Sequence, residues 1–149
     1  MILKKIFAKS NSLKDISESL EKSLSVLISE VIRVDYDIAE IDLEVANKIL
    51  IETYGLRASQ AKCLINEALR IQNRPTSYHP FVKTINENLS YDEKVTVIEG
   101  LWKIAVADKR VDKYEDHIIR KFSELLHVQH VDLINSKNST IRKARMSDE

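Results

Sequence analysis

Leu13, Ile16, Leu20, Leu24, Leu27, Val31 and Val34 recur three or four residues apart. That spacing lines one face of a helix with apolar side chains and cannot line a strand. The same rhythm runs down the rest of the chain. Ile38, Ile41, Val45 and Ile49 form a second stripe, and Gly55 supplies its stop. Ala61, Leu64, Ile65, Ala68 and Leu69 mark a third. The segment QNRPTSYHP (72–80) holds both prolines and reads as a linker. Beyond it, Phe81, Ile85 and Leu89 predict a short helix. Ser90 and Glu93 predict a capping box that opens a helix through Val95, Ile98, Leu101, Ile104 and Ala105. Asp112 and Glu115 can act in the same way for a helix bearing Tyr114, Ile118, Phe122 and Leu125. A last helix passes through Val131 and Ile134. The expected fold is all-α, a compact bundle of seven to eight helices around a single core.

The two halves of the chain match without gaps at an offset of about 73 residues. Leu24 meets Val97, Ile28 meets Leu101, and Val31 meets Ile104. Past the joint, Ile38 meets Val111, Ile41 meets Tyr114, Val45 meets Ile118 and Ile49 meets Phe122. This predicts two pseudo-symmetric helix-corner-helix repeats in one domain, at about 20–70 and 90–136. A basic tail at 137–149 is expected to follow, frayed at its end. An open solenoid would need more repeats.

Composition narrows the chemistry. The chain has 149 residues, and its 23 basic and 23 acidic side chains cancel. No global field draws it to nucleic acid, and no nucleic-acid partner is expected. Lys137, Arg142, Lys143 and Arg145 form a basic run that reads as a solvated helix end. There are only two glycines, Gly55 and Gly100. Phosphate loops, dinucleotide fingerprints and nucleophile elbows all need glycine where the backbone approaches a ligand or takes positive φ, so none can be written here. Cys63 has no intrachain partner, and its helical setting predicts a buried small hydrophobe and a reducing compartment. The opening MILKKIFAKS is too short in its apolar stretch for a secretory signal. Its Ile2, Leu3, Ile6 and Phe7 share a face that could touch a membrane surface, but packing on the chain's own domain is the preferred reading. No apolar run is long enough to span a bilayer. These features together predict a cytoplasmic protein.

The acids at the two joints carry the functional question. VDYDIAEIDLE (34–44) and VADKRVDKYED (106–116) each place an aspartate where one helix ends and further acids where the next begins. An acid at a helix C-terminus meets the negative end of the helix dipole, whereas one in a first turn is favoured. Capping explains Asp42, Asp112 and Glu115 without any ligand. The alternative is a divalent cation such as calcium, magnesium or zinc between the corners, with Asp35, Asp42, Asp108, Asp112 and Glu115 as candidate ligands. The pattern is not an EF-hand, because its glycine is missing and Ala46 stands where the terminal glutamate belongs. His127 and His130 could chelate zinc only if one helix carried both. Trp102 reads as a core or interface anchor. No catalytic residue can be named.

The second joint resembles a known family. The run Ala107-Asp108-Lys109-Arg110-Val111-Asp112-Lys113-Tyr114-Glu115, preceded by EGLWKIAVAD (99–108), resembles the A-D-G-x-[IV]-D-x-x-E corner of TerB-like tellurite-resistance proteins. Asp35-Tyr36-Asp37-Ile38-Ala39-Glu40-Ile41-Asp42 is similar to it more loosely, and the resemblance covers about residues 20–136. It implies an internally pseudo-symmetric helical fold and a cytoplasmic, stress-associated bacterial role exercised through protein partners. It also implies divalent-metal binding at the corners. A related domain begins some membrane-anchored DnaJ-type co-chaperones, where it serves association. By position, Asp108, Asp112 and Glu115 match the motif acids, and Asp35 and Asp42 match in the first corner. Tyr36 and Lys109 replace the usual glycine, which costs on the order of 1–2 kcal/mol if that backbone is left-handed. Ala39 replaces the second acid of the first corner. The resulting expectation is a non-enzymatic association module with weak cation binding. The alternative is a metal-assisted hydrolase centred on the acidic corner.

Overall fold

Burial of the long first stripe decides the layout. The computed structural model describes residues 11–33, 38, 40–70, 77–107 and 111–146, with side chains from residue 19 onward. These residues form seven helices and no strand: α1 (Asn11–Arg33), α2 (Glu40–Glu52), α3 (Ala58–Arg70), α4 (His79–Asn88), α5 (Tyr91–Ala105), α6 (Lys113–Leu125) and α7 (His130–Met146). The amphipathic segment 1–9 lies outside the described residues, as do Asp35, Asp37 and Asp108.

From Leu20 to Ile32, α1 is buried on nearly every side, because α3 and α4 pack on it and α5 and α6 meet it too. Its serines fit there by bonding back to their own helix. Ser25 Oγ donates to Glu21 O at 2.8 Å, and Ser29 Oγ to Val26 O at 2.8 Å. The other organising helix is α5, which touches α1, α2, α6 and α7. Its Ile98, Trp102 and Ile104 are fully buried and meet Tyr54, Phe122 and Leu20 in one core. Each such side chain contributes roughly 1.5–3 kcal/mol by leaving water.

Local chemistry sets the helix ends. Ser90 Oγ accepts from the Glu93 N–H, and Glu93 Oε1 accepts from the Ser90 N–H at 2.8 Å, the box expected from the sequence. Gly55 takes φ 76° after α2, while Leu56 N–H donates to Leu50 O and Gly55 N–H to Ile51 O, both at 3.1 Å. The Gly55 bond is that of an αL helix stop, and the side chains of Leu50 and Leu56 are buried beside it.

Two expectations are corrected. The 72–80 linker is shorter than it reads, because Pro80 sits in the first turn of α4, where a missing N–H is harmless. Cys63 is exposed, because α3 buries Ala61, Ile65 and Ala68 and turns Cys63 to the other side. The last helix passes through Val131 and Ile134 as expected; Leu133, Ser136 and Thr140 face inward and Val131 is 58% exposed, since α7 lies chiefly on α5.

Candidate functional site at the acidic corners

The second corner begins where α5 runs out. Val106 N–H donates to Trp102 O at 2.9 Å and Ala107 N–H to Ile104 O at 3.2 Å, which tightens the last turn. The chain re-enters helix at Asp112, whose extended backbone (φ −69°, ψ 149°) suits an N-cap. Asp112 Oδ1 accepts from the Tyr114 N–H at 2.7 Å, and Glu115 Oε1 accepts from the Asp112 N–H at 3.2 Å. Together they form a complete capping box, and Glu115 is 4% exposed. Both carboxylates therefore serve backbone donors that would otherwise be orphaned.

That cap turns the helix. Of the apolar residues that mark this helix in the sequence, Tyr114, Ile118, Phe122 and Leu125, only Phe122 is fully buried. Glu115, Ile119, Ser123 and Leu126 share the inner side with it, and Tyr114 stands 65% exposed. The face is displaced by about one residue, roughly 100°. Tucking Glu115 against the first turn leaves its neighbour Tyr114 outside.

The first corner repeats this displacement. Asp42 in the first turn of α2 is buried, as are Ala46, Ile49 and Leu50, whereas Ile38 and Ile41 are 47% and 42% exposed. Of the stripe expected on Ile38, Ile41, Val45 and Ile49, Ile38 and Ile41 thus face outward, whereas Val45 packs against the core and Ile49 is buried. Asp42 and Glu115, 73 residues apart, hold inward positions in their respective first turns.

Ion pairs that the sequence reading did not anticipate stand behind each corner. Glu30, 2% exposed, accepts from Tyr78 Oη at 2.9 Å and from Arg33 Nη1 at 3.3 Å. Arg33 Nη2 reaches Ala68 O at 2.7 Å, so the last residue of α1 is tied to α3. Tyr78 packs edge-on against Phe122 with ring centres 5.0 Å apart. Behind the second corner, Asp116 accepts from Arg120 Nε and Lys137 Nζ, both at 2.5 Å. Burial pushes the Asp116 carboxyl up, but the hydrogen bonds from Lys137 and Arg120 outweigh it and hold the group below its ordinary value. Lys137 also lies over the Trp102 ring, 5.3 Å from its centre, clamping α7 to α5 and α6. The basic run is therefore helical as far as Arg145, and one of its members is a structural cation. Only the i,i+3 spacing of Glu30 and Arg33 and the i,i+4 spacing of Asp116 and Arg120 announced these pairs.

The histidine pair does not form. His127 takes φ 59° between α6 and α7, so His127 and His130 do not share a helix. Among the described residues, no group of three His, Cys, Asp or Glu side chains could hold a metal ion. Of the five candidate ligands, Asp42, Asp112 and Glu115 are described. Asp35 and Asp108 are not.

The family model of Tellurite resistance protein TerB matches residues 21–138. The chain belongs to the TerB family. The match spans both corners and every helix from the middle of α1 to the middle of α7, so the acidic joints of this TerB-family chain lie within the shared domain. No curated protein and no solved structure matches the chain. Among the described residues of this TerB domain, no helix is long and apolar enough to cross a membrane.

Proposed function

We propose that this TerB-family chain is a non-enzymatic, stress-associated module of the cytoplasm, which binds another protein through the apolar residues that its two corners turn outward. One observation carries this reading. In both first turns the acid takes the inward position, and a large apolar side chain, Ile41 or Tyr114, is left in water. Large apolar side chains held at the surface, aromatic ones above all, are common anchors of protein interfaces. A hydrolase at the same place would need carboxylates open to a metal and a water. Asp112 and Glu115 are both engaged by backbone N–H groups.

A photo-reactive amino acid placed at position 114 or 41, in bacterial cells, tests the association. Defined protein adducts are expected from these positions and not from Lys62, exposed on α3. Adducts no more frequent than those from position 62 would remove the proposal.

The buried acids Asp42 and Glu115 support a second reading, a divalent cation held near the corners with Asp35 and Asp108 as further ligands. Calorimetric titration with calcium, magnesium and zinc, repeated on Asp108→Asn, tests it. Heat from the unmodified chain that the substitution abolishes is the required result.

A further inference from the structure

Helices α2, α5 and α7 enclose a groove of about 540 Å³, within the range of small-molecule sites. Val45 and Ile49 of α2, Val106 at the C-cap of α5 and Ala144 of α7 give it apolar walls. On its floor, Thr140 Oγ1 donates to Ser136 O at 2.7 Å, and Ser136 Oγ donates to Asp132 O. The hydroxyl protons there are already used, so that part of the groove offers hydrocarbon more than free donors.

The rim is different. Lys48, Glu52, Glu99, Lys103 and Lys143 line it, coming from all three helices. Lys48 and Glu52 stand four apart on α2, as do Glu99 and Lys103 on α5, the spacing at which helix side chains pair. Yet none of the five is in an ion pair among the described residues. Three ammonium groups and two carboxylates leave one net positive charge around an apolar trough. A cation is disfavoured by the three lysines, and a dianion is disfavoured by Glu52 and Glu99. The complement is an apolar body with a single negative charge.

We propose that this groove binds a monoanionic amphiphile, its apolar chain along Val45, Ile49, Val106 and Ala144 and its carboxylate-type head among Lys48, Lys103 and Lys143. The head group can come from a free carboxylic acid or from an anionic lipid at a surface.

The test titrates the full chain with laurate below its micellar concentration, with dodecylammonium and phosphatidylglycerol vesicles in parallel, and maps binding by amide NMR. Saturable laurate binding at one per chain is expected, with shifts confined to α2, α5 and α7. Dodecylammonium should bind at least tenfold more weakly. Combined Lys48→Gln, Lys103→Gln and Lys143→Gln should weaken laurate at least tenfold, and Ser139→Trp should fill the groove and abolish binding. The lysine variant changes only rim charges, so it decides the matter even if Ser139→Trp fails to fold. Vesicle binding lost in the same variants would add a lipid source to the laurate result; vesicle binding unaffected by them would assign that contact elsewhere and count against a lipid source. Absence of laurate binding, equal binding of dodecylammonium, or shifts centred on other helices would overturn the proposal.

Discussion

Glu115 and Asp112 together cap the N-terminus of α6. Glu115 Oε1 takes the Asp112 N–H at 3.2 Å, and the Asp112 carboxylate takes N–H groups of the first turn in return. The acid repeated at the joints of this chain is, in the second corner, first a device for starting a helix. It also explains why Tyr114 faces water.

Asp112→Ala should therefore cost about 1 kcal/mol of stability, the usual value of a lost N-cap. For a chain of this size the midpoint of thermal unfolding falls by roughly 2–4 °C. Circular dichroism melts measure it, and an unchanged midpoint would show that the cap contributes nothing.

The two glycines should respond oppositely to alanine. A Cβ at Gly100 would lie 3.5 Å from Ile49 Cγ2, an ordinary contact, so Gly100→Ala should stabilise α5 by roughly 0.5–1 kcal/mol. At Gly55 the φ of 76° forces any side chain into the left-handed region, and Gly55→Ala should destabilise by about 1–2 kcal/mol. Urea unfolding of the two variants gives both signs at once.

His127 pays a comparable conformational penalty at φ 59°. His127→Gly should stabilise the chain by about 1 kcal/mol, since the side chain is exposed and its removal loses little packing. A destabilised variant would mean that the imidazole has a contact of greater value than its strain.

Asp116 should make stability depend on pH in acid. Its folded carboxyl titrates below the ordinary value of 3.8, so its contribution is present above that value and is lost as the pH falls through the lowered folded one. Asp116→Asn should lower stability by no more than about 1 kcal/mol near neutrality, because the pair is partly solvated. The gap between variant and parent should close towards pH 2. Denaturant melts at pH 7, 4 and 2.5 test this, and a gap independent of pH would refute the ion-pair account.

Much of the fold was legible because helix formation is local. The spacing of Leu20, Leu24, Leu27 and Val31, the Ser90–Glu93 box and the Gly55 stop each depend on residues within two turns of one another. The place of Asp42, Asp112 and Glu115 at helix starts was legible for the same reason, and so was the family resemblance. Which side of each helix turned inward was not. Apolar spacing grouped Ile41 and Tyr114 with the stripes of their helices, and the structure turned Asp42 and Glu115 inward beside them. Cys63 was misjudged likewise, since its burial depended on what packs against α3.

The sequence by itself determined where helices start and stop, because caps and periodicity act through neighbours along the chain. Only the tertiary structure decided the inward faces, the clamp of Lys137 on Asp116 and Trp102, and the groove between α2, α5 and α7. Those depend on groups brought together from distant parts of the chain, and no local spacing encodes such a meeting.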